Sequence, residues 1–493
     1  MVRRSLALAL LAFFVAPSGA RAWPHEGREV GPGLIYRHFS GPIDIPGSGT
    51  SEQEIFVVYA DLLEPRLRVV ASAPADRGVT VSQFAERNGL AVAVNTNFFD
   101  GSQRACGLMA SMGEVWSQSY DAGASCADSL GVSPGNEAVA FRSEGLRLGP
   151  LPDRVTDVAT GMPFVVWDGA IVEQAVIEGA PNPSHMASAH PRSAVCLHQD
   201  GRTLAFVVVD GRATGRVGMR GITLGRFLFH HVGCRVGLNL DGGGSSTLFV
   251  RGEPGFGGRP AGVVNRTSDG SERRVCCHLG VRIGEPEPLF AAALVEGGGE
   301  VTFAPGEARA LSARWRNTGR RAWTAEGPWP VRLGTADPRD RVSAFAAPEW
   351  TSASRLTDVP TLVAPGMDIE LAVPLVAPLG PGEHDEAFDL VAEGATWMDA
   401  PVRYRARVVG PAGDAGPVEP RDAGAAIDAA AGAADAAAVG LDAGGGALSS
   451  DCACRLGAGA GDRRGGALIG LVVAVSFVRR RLRSGVSRPR IER

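Results

Sequence analysis

Short apolar runs separated by turn signals constrain the fold of this chain more than any other feature of its sequence. Residues 55–60 and 90–94 are rich in the branched residues that favour β-strands. Asp168-Gly169 and Asp200-Gly201 each separate two such runs, as the two-residue turn of a β-hairpin does. The runs do not alternate regularly with helical segments, which argues against a doubly wound sheet. The sequence therefore predicts a mixed α/β domain with hairpin-rich sheets over residues 30–285.

Residues 287–409 follow a different pattern. Short strand-like runs come at even spacing, with Pro-Gly pairs that begin at positions 305, 365 and 381. This spacing indicates an all-β sandwich. Trp315-Arg316-Asn317-Thr318-Gly319, with Trp323, resembles the immunoglobulin-like domains of bacterial surface enzymes. We expect the tryptophans of this region in its core, and glycan binding by exposed ones is the alternative. The predicted fold class of the whole chain is α+β.

The segment Asn239-Leu240-Asp241-Gly242-Gly243-Gly244-Ser245-Ser246-Thr247 carries the clearest chemical signal. An apolar strand-like run, residues 235–240, ends at the carboxylate of Asp241. Glycines let the backbone turn sharply and approach a ligand closely, and successive N–H groups in such a turn can bind an anion. A carboxylate beside an anion cradle suits a substrate that carries a phosphate and a bond to be broken. The structural alternative is a Gly-rich turn between two strands.

Four further segments place polar groups at the ends of predicted strands. They are Asn95 in Asn95-Thr96-Asn97-Phe98-Phe99-Asp100, Arg192 in His190-Pro191-Arg192-Ser193, Asp210-Gly211-Arg212, and Glu272-Arg273-Arg274-Val275. Each also has an ordinary structural interpretation. Asn95 could cap a turn, Asp210 could belong to a plain turn, and Glu272 with Arg273 could be a surface ion pair. His185 and His190 are expected to be loop residues rather than ligands.

The order of these segments resembles the phosphodiester glycosidase family. The matching segments are Asn95…Phe98-Phe99, Arg192-Ser193-Ala194, Val208-Val209-Asp210-Gly211-Arg212, residues 239–247 and Glu272-Arg273-x-Val275. The Gly-rich segment is specific to the family, whereas the others gain weight from their order. The family usually has Asn-Gly-Gly-Phe-Phe at the first segment and Arg-Thr where this chain has Arg192-Ser193. The first departure leaves the identity of the sugar open.

The resemblance implies a hydrolase that cleaves the glycosidic C1–O bond of a sugar-1-phosphodiester in extracellular glycans or glycoconjugates. Asp241 is then the first candidate for the carboxylate at the reacting carbon, with Asp210 or Glu272 as its partner. Arg192 and Arg212 are the candidates for holding the leaving phosphate, because guanidinium groups bind phosphate bidentately. The rest of the predicted substrate-binding set is Asn95, which would hydrogen-bond a sugar substituent, with Gly242, Gly243, Gly244, Ser245 and Ser246.

Two other functions stay open from the residues alone. One is a catalytically silent glycan-binding surface protein that keeps the fold. The other is a metal-dependent phosphodiesterase that breaks the P–O bond, with Asp241 and Asp210 as ligands of a hard cation such as calcium. Calcium is the one cofactor that this alternative introduces. The ligands of any metal are otherwise unassigned.

The two ends of the chain predict export and surface attachment. Residues 1–22 have the basic, apolar and Ala-x-Ala parts of a secretory signal peptide. Residues 411–450 are almost entirely Ala, Gly, Asp and Pro, which predicts a disordered linker. Residues 451–493 combine a Cys-Ala-Cys motif, a short apolar stretch and an arginine cluster, and they resemble the MYXO-CTERM sorting tail of myxobacterial surface proteins. A sorting or processing machinery is the implied partner, with the cell surface or outer membrane as destination; a plain membrane anchor is the alternative.

Charge and cysteine content narrow the compartment and the partners. The net charge of −4, without a basic stripe, predicts no nucleic-acid partner. The eight cysteines fit an oxidising compartment. Cys106 and Cys126 bracket one loop-like stretch and are the best local candidates for a disulfide, while the pairing of the other cysteines cannot be deduced from their spacing.

Overall fold

The computed structural model describes only part of the chain. The described residues are 23, 25–117, 126–142, 151, 152, 154–179 and 183–410, and all of them lie within one compact unit. The predicted signal peptide, the Ala/Gly/Asp/Pro linker and the predicted sorting tail lie outside the described residues. Among the described helices, none has the length and apolar character needed to cross a membrane.

β-strands dominate the described residues before position 290. In chain order they are β1 Arg28–Gly31, β2 Leu34–Ile45, β3 Gly49–Asp61, β4 Leu67–Ala71, β5 Leu90–Asn95, β6 Met109–Ser111, β7 Glu114–Ser117, β8 Asp128–Val132, β9 Ala138–Arg142, β10 Asp157–Gly161, β11 Phe164–Trp167, β12 Ala170–Ile171, β13 Arg192–His198, β14 Thr203–Val209, β15 Cys234–Asn239, β16 Leu248–Val250 and β17 His278–Ile283. The strands predicted from the apolar runs lie within this set, and the two Asp-Gly turns join β11 to β12 and β13 to β14.

An eight-stranded sheet forms the middle layer, in the order β1-β2-β3-β14-β13-β15-β11-β12. Every residue of β13 and β14 is buried, because both faces of this sheet are covered. Leu204, Phe206 and Val208 pack on one face into the largest core. Their neighbours Ala205 and Val207 point to the other face. This strict alternation is what a strand buried on both sides requires.

Two smaller sheets cover one face of the middle layer. One has the order β7-β6-β10-β8-β9 and the other β16-β5-β17-β4. Apolar residues of both smaller sheets share the core to which the eight-stranded sheet contributes. The end of β5 is therefore brought close to the ends of β13 and β15, which matters for the site described below.

Short helices α2 Gln174–Glu178, α3 Pro183–Ala187 and α4 Gly221–Phe227 pack against the opposite face of the eight-stranded sheet. Helix α1 Val81–Arg87 lies instead beside β5 of a smaller sheet. α4 continues into a π-helical turn at Leu228–Val232. With helices this few and this short in the described part of the chain, the predicted mixed α/β domain is corrected to a mostly β fold. Hairpin turns, rather than helical crossovers, connect its strands.

The described residues after position 290 are all β or irregular. Their strands are β18 Ala292–Glu296, β19 Gly299–Phe303, β20 Ala308–Asn317, β21 Val331–Ala336, β22 Arg355–Asp358, β23 Asp368–Val376, β24 Gly382–Ala392, β25 Thr396–Trp397 and β26 Val402–Val408. A three-stranded sheet, β18-β20-β23, and a sheet of order β19-β26-β24-β21-β22 share one apolar core. Trp315 and Trp323 are fully buried in this core, as expected for them. The immunoglobulin-like identity of this region and the exact domain boundaries stay predictions.

Two adjacent arginines join this second region to the first. Arg321 is 2% exposed, and its Nε and Nη2 donate to the carbonyl oxygens of Gly135 and Asn136, both at 3.0 Å. Arg320 Nη1 donates to the carbonyl oxygen of Pro134 at 2.7 Å. Three successive carbonyl groups of the β8–β9 hairpin are thus bound by guanidinium groups from the second region.

Three disulfides are described, and the predicted one is confirmed. Cys106 bonds to Cys126, which closes the stretch between them. Cys196 on β13 bonds to Cys234 on β15, and the neighbours Cys276 and Cys277 bond to each other. The first of these holds the loop that follows β5, since the Cys106 N–H donates to the Phe98 carbonyl oxygen at 2.7 Å.

Candidate active site

One edge of the eight-stranded sheet gathers most of the polar segments singled out from the sequence. β13 lies between β14 and β15 and runs antiparallel to both, so β14 and β15 run parallel to each other. Their carboxyl ends therefore lie at the same edge, beside the first residue of β13, Arg192. Asp210 follows β14 and Asp241 follows the end of β15. Two inter-strand spacings place these two backbones about 10 Å apart.

Asn95, at the end of β5, fixes the backbone on both sides of the Gly-rich segment. Its Nδ2 donates to the Asp241 carbonyl oxygen at 2.6 Å. Its Oδ1 accepts from the Ser193 hydroxyl at 2.8 Å and from the Thr247 N–H at 3.2 Å. The side chain is 1% exposed. Asn95 is therefore a positioning residue, and its polar atoms are directed to the chain rather than to a sugar.

The glycines of this turn mainly allow side chains to approach the backbone closely, and anion binding by their N–H groups is the smaller part of their role. The Gly243 N–H donates to the Pro191 carbonyl oxygen, and the Ser245 and Ser246 N–H groups donate within a 3₁₀ turn. The predicted N–H cradle is therefore only partly available to a ligand. A Cβ on Gly243, whose φ is +63°, would lie 3.0 Å from the Arg212 guanidinium. A Cβ on Gly244 would collide with the side chains of the ion pair described below. The bare backbone is what lets charged side chains cover this turn.

Asp241 is a partly exposed residue at the start of this turn. Burial raises its pKa to about 6, although hydrogen bonds from the Ser245 hydroxyl and the Gly242 N–H and the charge of Arg273 oppose the rise. The carboxylate is therefore ionised at neutral pH and is protonated in mild acid. A raised pKa beside cationic groups in a cleft is a common property of reactive carboxylates.

An ion pair between Arg273 and Asp269 covers the turn from the other side. Arg273 Nη2 and Nε donate to Asp269 Oδ2 at 2.6 and 3.0 Å. Its Nη1 lies 3.4 Å from the Ser245 hydroxyl, which itself bonds to Asp241. The sequence indicated a surface ion pair of Arg273 with Glu272 as the structural alternative, and the partner is Asp269 instead.

Glu272 is not brought to Asp241. One of its carboxylate oxygens accepts from the Ser82 N–H at 3.0 Å and the other from the Ser82 hydroxyl at 2.5 Å. Ser82 lies in the first turn of α1, where backbone N–H groups have no partner within the helix. Glu272 thus caps α1, together with the Thr80–Gln83 capping box, and its predicted role as catalytic partner has no support in this geometry.

Arg192 holds the chain rather than a ligand. The residue is fully buried, and its Nη2 donates to the carbonyl oxygens of His185 and Ser188 at 2.7 and 2.9 Å. Its Nε donates to the Met219 carbonyl oxygen at 2.8 Å, and its Nη1 lies 3.5 Å from the Met186 sulfur. Burial and the charge of Arg212 lower the pKa of this guanidinium to about 10. The predicted phosphate contact is corrected to a positioning role for the loop 185–190.

Arg212 is the arginine that faces the turn. It is exposed and has a left-handed backbone, with φ at +62°. For a residue other than glycine this conformation is strained, and such strain is concentrated at functional sites. Its Nε and Nη2 each lie 3.4 Å from His190 Nδ1. The guanidinium lies next to Gly243, where it can donate two hydrogen bonds to a phosphate.

Two stacked histidines, His185 and His190, lie next to Arg212. The rings of His185 and His190 lie 4.7 Å apart at 12°. A Cβ on Gly242 would lie 3.5 Å from His185 Nε2, so this nitrogen faces the backbone next to Asp241. Burial, with the charges of nearby arginines, lowers the pKa of His185 to about 4 and also lowers the pKa of His190. Both rings are neutral at neutral pH. The sequence placed both in a loop, which holds for His190, whereas His185 lies in the short helix α3. The sequence gave no sign of their position in the site.

Asp210 differs from Asp241 in having its oxygens occupied. Its Oδ1 accepts from Asn265 Nδ2 at 3.1 Å and its Oδ2 from the Arg266 N–H at 2.9 Å. The residue is 1% exposed, and burial raises its pKa to about 6. Ca²⁺ needs its oxygen ligands at about 2.3–2.6 Å. Both oxygens of Asp210 are engaged by donors of the fold rather than directed at an ion.

Seven of the fourteen buried side-chain polar atoms without a hydrogen-bond partner among the described residues lie in or beside the segments that form this site. They are Thr96 Oγ1, His185 Nε2, Asn239 Oδ1, Ser246 Oγ, Thr247 Oγ1, Thr267 Oγ1 and Ser268 Oγ. Buried polar groups in folded proteins nearly always have a partner, and an exception needs a specific reason. A polar ligand or water at this edge of the sheet would supply the missing partners.

Two comparisons bear on these observations. Residues 88–282 match the model of the phosphodiester glycosidase family. That segment contains β5, the loop 185–190, Arg212, the Gly-rich turn and Arg273. A comparison with curated protein sequences returned no match.

Solved structures with a related chain path were also found. The catalytic domain of zebrafish N-acetylglucosamine-1-phosphodiester alpha-N-acetylglucosaminidase, auto-inhibited by its pro-peptide, is 18% identical with a TM-score of 0.40; the match covers 52% of this chain and 85% of that chain. A hypothetical protein from Synechocystis is 16% identical, with a TM-score of 0.37 and coverage of 51% and 62%. An exported protein from Burkholderia pseudomallei K96243 is 15% identical, with a TM-score of 0.34 and coverage of 48% and 76%.

Proposed function

We propose that this protein hydrolyses the glycosidic C1–O bond of a sugar-1-phosphodiester in extracellular glycans or glycoconjugates. The observation that carries the proposal is the arrangement around Asp241. One accessible carboxylate lies at a Gly-rich turn that Arg212 covers on one side and Arg273 on the other. The family match over residues 88–282 suggests phosphodiester glycosidase activity for the same segment.

The proposed reaction needs both a carboxylate and a guanidinium group. Cleavage at C1 passes through a transition state that resembles an oxocarbenium ion, and a carboxylate next to C1 stabilises it. Asp241 is the described carboxylate that is both accessible at the turn and ionised at neutral pH. The leaving phosphate develops negative charge, which a guanidinium fork binds with two hydrogen bonds. Arg212 is placed to bind it.

A second catalytic carboxylate is not needed for the first step. A phosphate monoester is a weak base, so it departs without a proton from a general acid. This fits the structure, in which Asp210 and Glu272 are bound by neighbouring donors. Asp269, the nearest carboxylate across the turn, is occupied by Arg273. The substrate phosphate itself thus replaces the acid that ordinary glycosidases require.

Hydrolysis in ¹⁸O-labelled water tests the proposal directly. A panel of sugar-1-phosphodiesters would be incubated with the full-length protein, and the products would be examined by mass spectrometry. We expect the label in the sugar, because water attacks C1. Label in the phosphate would show P–O cleavage and favour a phosphodiesterase. An absence of turnover across the panel, with sugar binding retained, would favour a glycan-binding surface protein.

The proposal includes export and display at the cell surface. The predicted signal peptide and sorting tail motivate it, together with the disulfides of the described residues. A protein that ends at Val409 should be soluble, folded and active, since the predicted Ala/Gly/Asp/Pro linker has too few apolar residues to add to a core. The full chain should fractionate with the cell envelope, and replacement of Cys452 and Cys454 by Ser should block its processing. Normal processing of the Cys variant would instead favour a plain membrane anchor.

A further inference from the structure

His185 has a place in the site that the first half of the proposed reaction does not use. Its Nε2 is buried, has no hydrogen-bond partner among the described residues, and faces the backbone at Gly242. Its ring stacks on His190, and His190 Nδ1 contacts the Arg212 guanidinium. A row of three side chains therefore runs from Arg212, at the proposed phosphate site, to the backbone next to Asp241.

The position of this row has a stereochemical meaning. When a carboxylate displaces the leaving group and is then displaced by water, the water enters from the face that the leaving group has vacated. The group that removes a proton from this water must stand on the side of the leaving group, within hydrogen-bond reach of the water. Arg212 marks that side, and His185, whose Nε2 has no partner among the described residues, is linked to Arg212 through its stack on His190.

We propose that Asp241 is the nucleophile of a double displacement and that His185 Nε2 is the base that deprotonates the hydrolytic water. This inference rests on the proposed function and extends it to the second half of the reaction. It also assigns retention of configuration, because two displacements at C1 restore the original anomer.

Both steps balance with groups that the structure supplies. In the first, an Asp241 oxygen forms a bond to C1 while the C1–O bond to phosphate breaks, and its electron pair leaves on the phosphate monoester held by Arg212. In the second, a water oxygen bonds to C1 and its proton passes to His185 Nε2. The C1–O bond to Asp241 then breaks, the electron pair returns to the carboxylate, and His185 releases the proton to solvent.

The surroundings of His185 fit this role. The imidazole is neutral at neutral pH, because burial and the arginine charges lower its pKa. A neutral ring accepts at one nitrogen and donates at the other, so Nε2 is an acceptor when the hydrogen is on Nδ1. Arg192 fixes the position of the ring through the His185 carbonyl oxygen at 2.7 Å.

The experiment compares His185→Gln with wild type in the presence and absence of sodium azide. Azide is a nucleophile that needs no base. We expect hydrolysis to fall about 10²- to 10⁴-fold, with a rapid initial release of one phosphate product per enzyme. Azide should then restore turnover and yield a glycosyl azide of the same anomeric configuration as the substrate. Melting curves would check folding, and His185→Asn serves if the Gln variant does not fold.

Two controls separate chemistry from placement. Arg192→Lys should disturb the loop and lower turnover, and azide should not restore it, because the base is misplaced together with the nucleophile's surroundings. His230→Gln changes an exposed histidine on the helical face and should leave turnover unchanged with or without azide.

The possible results distinguish a failure of the role of His185 from a failure of the proposed function. Normal turnover in folded His185→Gln, or a loss that azide does not relieve, would overturn the role of His185 while leaving C1–O cleavage by the wild type intact. Inversion of configuration in the wild-type product would overturn it as well. A wild-type protein that hydrolyses no sugar-1-phosphodiester would instead refute the proposed function, and this inference with it.

Discussion

Two carboxylates follow parallel strands at the same edge of the eight-stranded sheet, and they have opposite surroundings. Asp210 and Asp241 each end an apolar strand, each precede a glycine, and each have a pKa that burial raises to about 6. Asp210 is fully enclosed, with Asn265 and the Arg266 N–H bound to its two oxygens. Asp241 is partly exposed, and its carboxylate is near the Ser245 hydroxyl, the Gly242 N–H and the charge of Arg273. A raised pKa therefore does not by itself identify the reactive group; access and neighbouring cations do.

The two arginines of the same region repeat this contrast. Arg192 is buried and bound to three carbonyl oxygens, whereas Arg212 is exposed and stands over the turn. One member of each pair is bound within the fold, and the proposed function assigns the other to the substrate.

Asp241→Asn should have the largest effect. We expect turnover to fall on the order of 10³-fold or more, because the nucleophilic charge is removed. The folded-state pKa is above the ordinary value, so the ionised carboxylate destabilises the fold at neutral pH. Its removal should raise the free energy of unfolding at pH 7 by about 1–3 kcal/mol, and this gain should shrink as the pH falls below about 6.

Activity assays and chemical denaturation at two pH values measure both effects. Asp210→Asn is the matched control, and its turnover should stay within about tenfold of wild type, a change of about 1.4 kcal/mol in barrier. If Asp210→Asn abolished turnover in a folded protein while Asp241→Asn did not, the assignment of the two carboxylates would have to be exchanged.

The arginine pair should separate activity from stability. Arg212→Lys should lower turnover about 10²-fold, because an ammonium group cannot supply the planar fork, and the melting temperature should hardly change. Arg192→Lys should also impair turnover, but through the loop. It should lower stability on the order of 3 kcal/mol, since at least two charged hydrogen bonds of about 1.5 kcal/mol each are lost.

Steady-state kinetics and thermal melts on the two variants test this separation. Lysine accepted at both positions without loss of activity would mean that no guanidinium holds the phosphate. A melting temperature lowered equally in both variants would remove the distinction between the buried and the exposed arginine.

The pH dependence of kcat/KM should report Asp241 alone. Because the reactive form is the ionised carboxylate, activity should rise with pH through about 6 and then remain level. Below that value it should fall about tenfold per pH unit. No decline at higher pH is expected from a general acid, because the phosphate leaves unprotonated. The same fall of kcat/KM in acid should be seen with Asp210→Asn. If that variant lost the fall, the titration would have to be assigned to Asp210.

Glu272→Ala should have the smallest effect on chemistry. Loss of its two bonds to Ser82 removes a cap from α1, which costs about 0.5–2 kcal/mol of stability. The kcat should remain within about twofold of wild type when the protein is folded, a change of about 0.4 kcal/mol in barrier. Ser82→Ala should produce a similar loss of stability. A much larger fall in kcat for Glu272→Ala than for Ser82→Ala would return Glu272 to the reaction.

Local patterns explain which parts of the fold could be predicted from the sequence. The strands around residues 90–94, 204–209 and 236–240, and the Cys106–Cys126 disulfide, depend on nearby residues and were predicted correctly. The sheet order β3-β14-β13-β15-β11 does not follow the chain. The layers that it builds are therefore a tertiary property, which the local patterns of the sequence do not specify.

The site, too, could be predicted only where its signal is local in the sequence. Asp241 and Arg212 could be located because a strand end and a glycine-rich turn are visible in the sequence. The closure of Gly244 by Asp269 and Arg273 could not, since it depends on how distant loops meet. Arg192 looked like an anion ligand because its carbonyl partners lie up to 27 residues away. His185 carried no spacing signal at all.

The arginine contacts between the two regions limit how this protein can be divided or recombined. Pro134, Gly135 and Asn136 present their carbonyl oxygens to Arg320 and Arg321, and a chain that stopped at residue 286 would expose them to solvent. The first strand of this hairpin, β8, begins two residues after Cys126, which is bonded to Cys106. The first region therefore cannot be combined freely with other domains in place of the second. A chimera that keeps the first region needs a following domain with two consecutive arginines at the matching place, and a shuffled protein without them would inherit the active-site residues but lose their support.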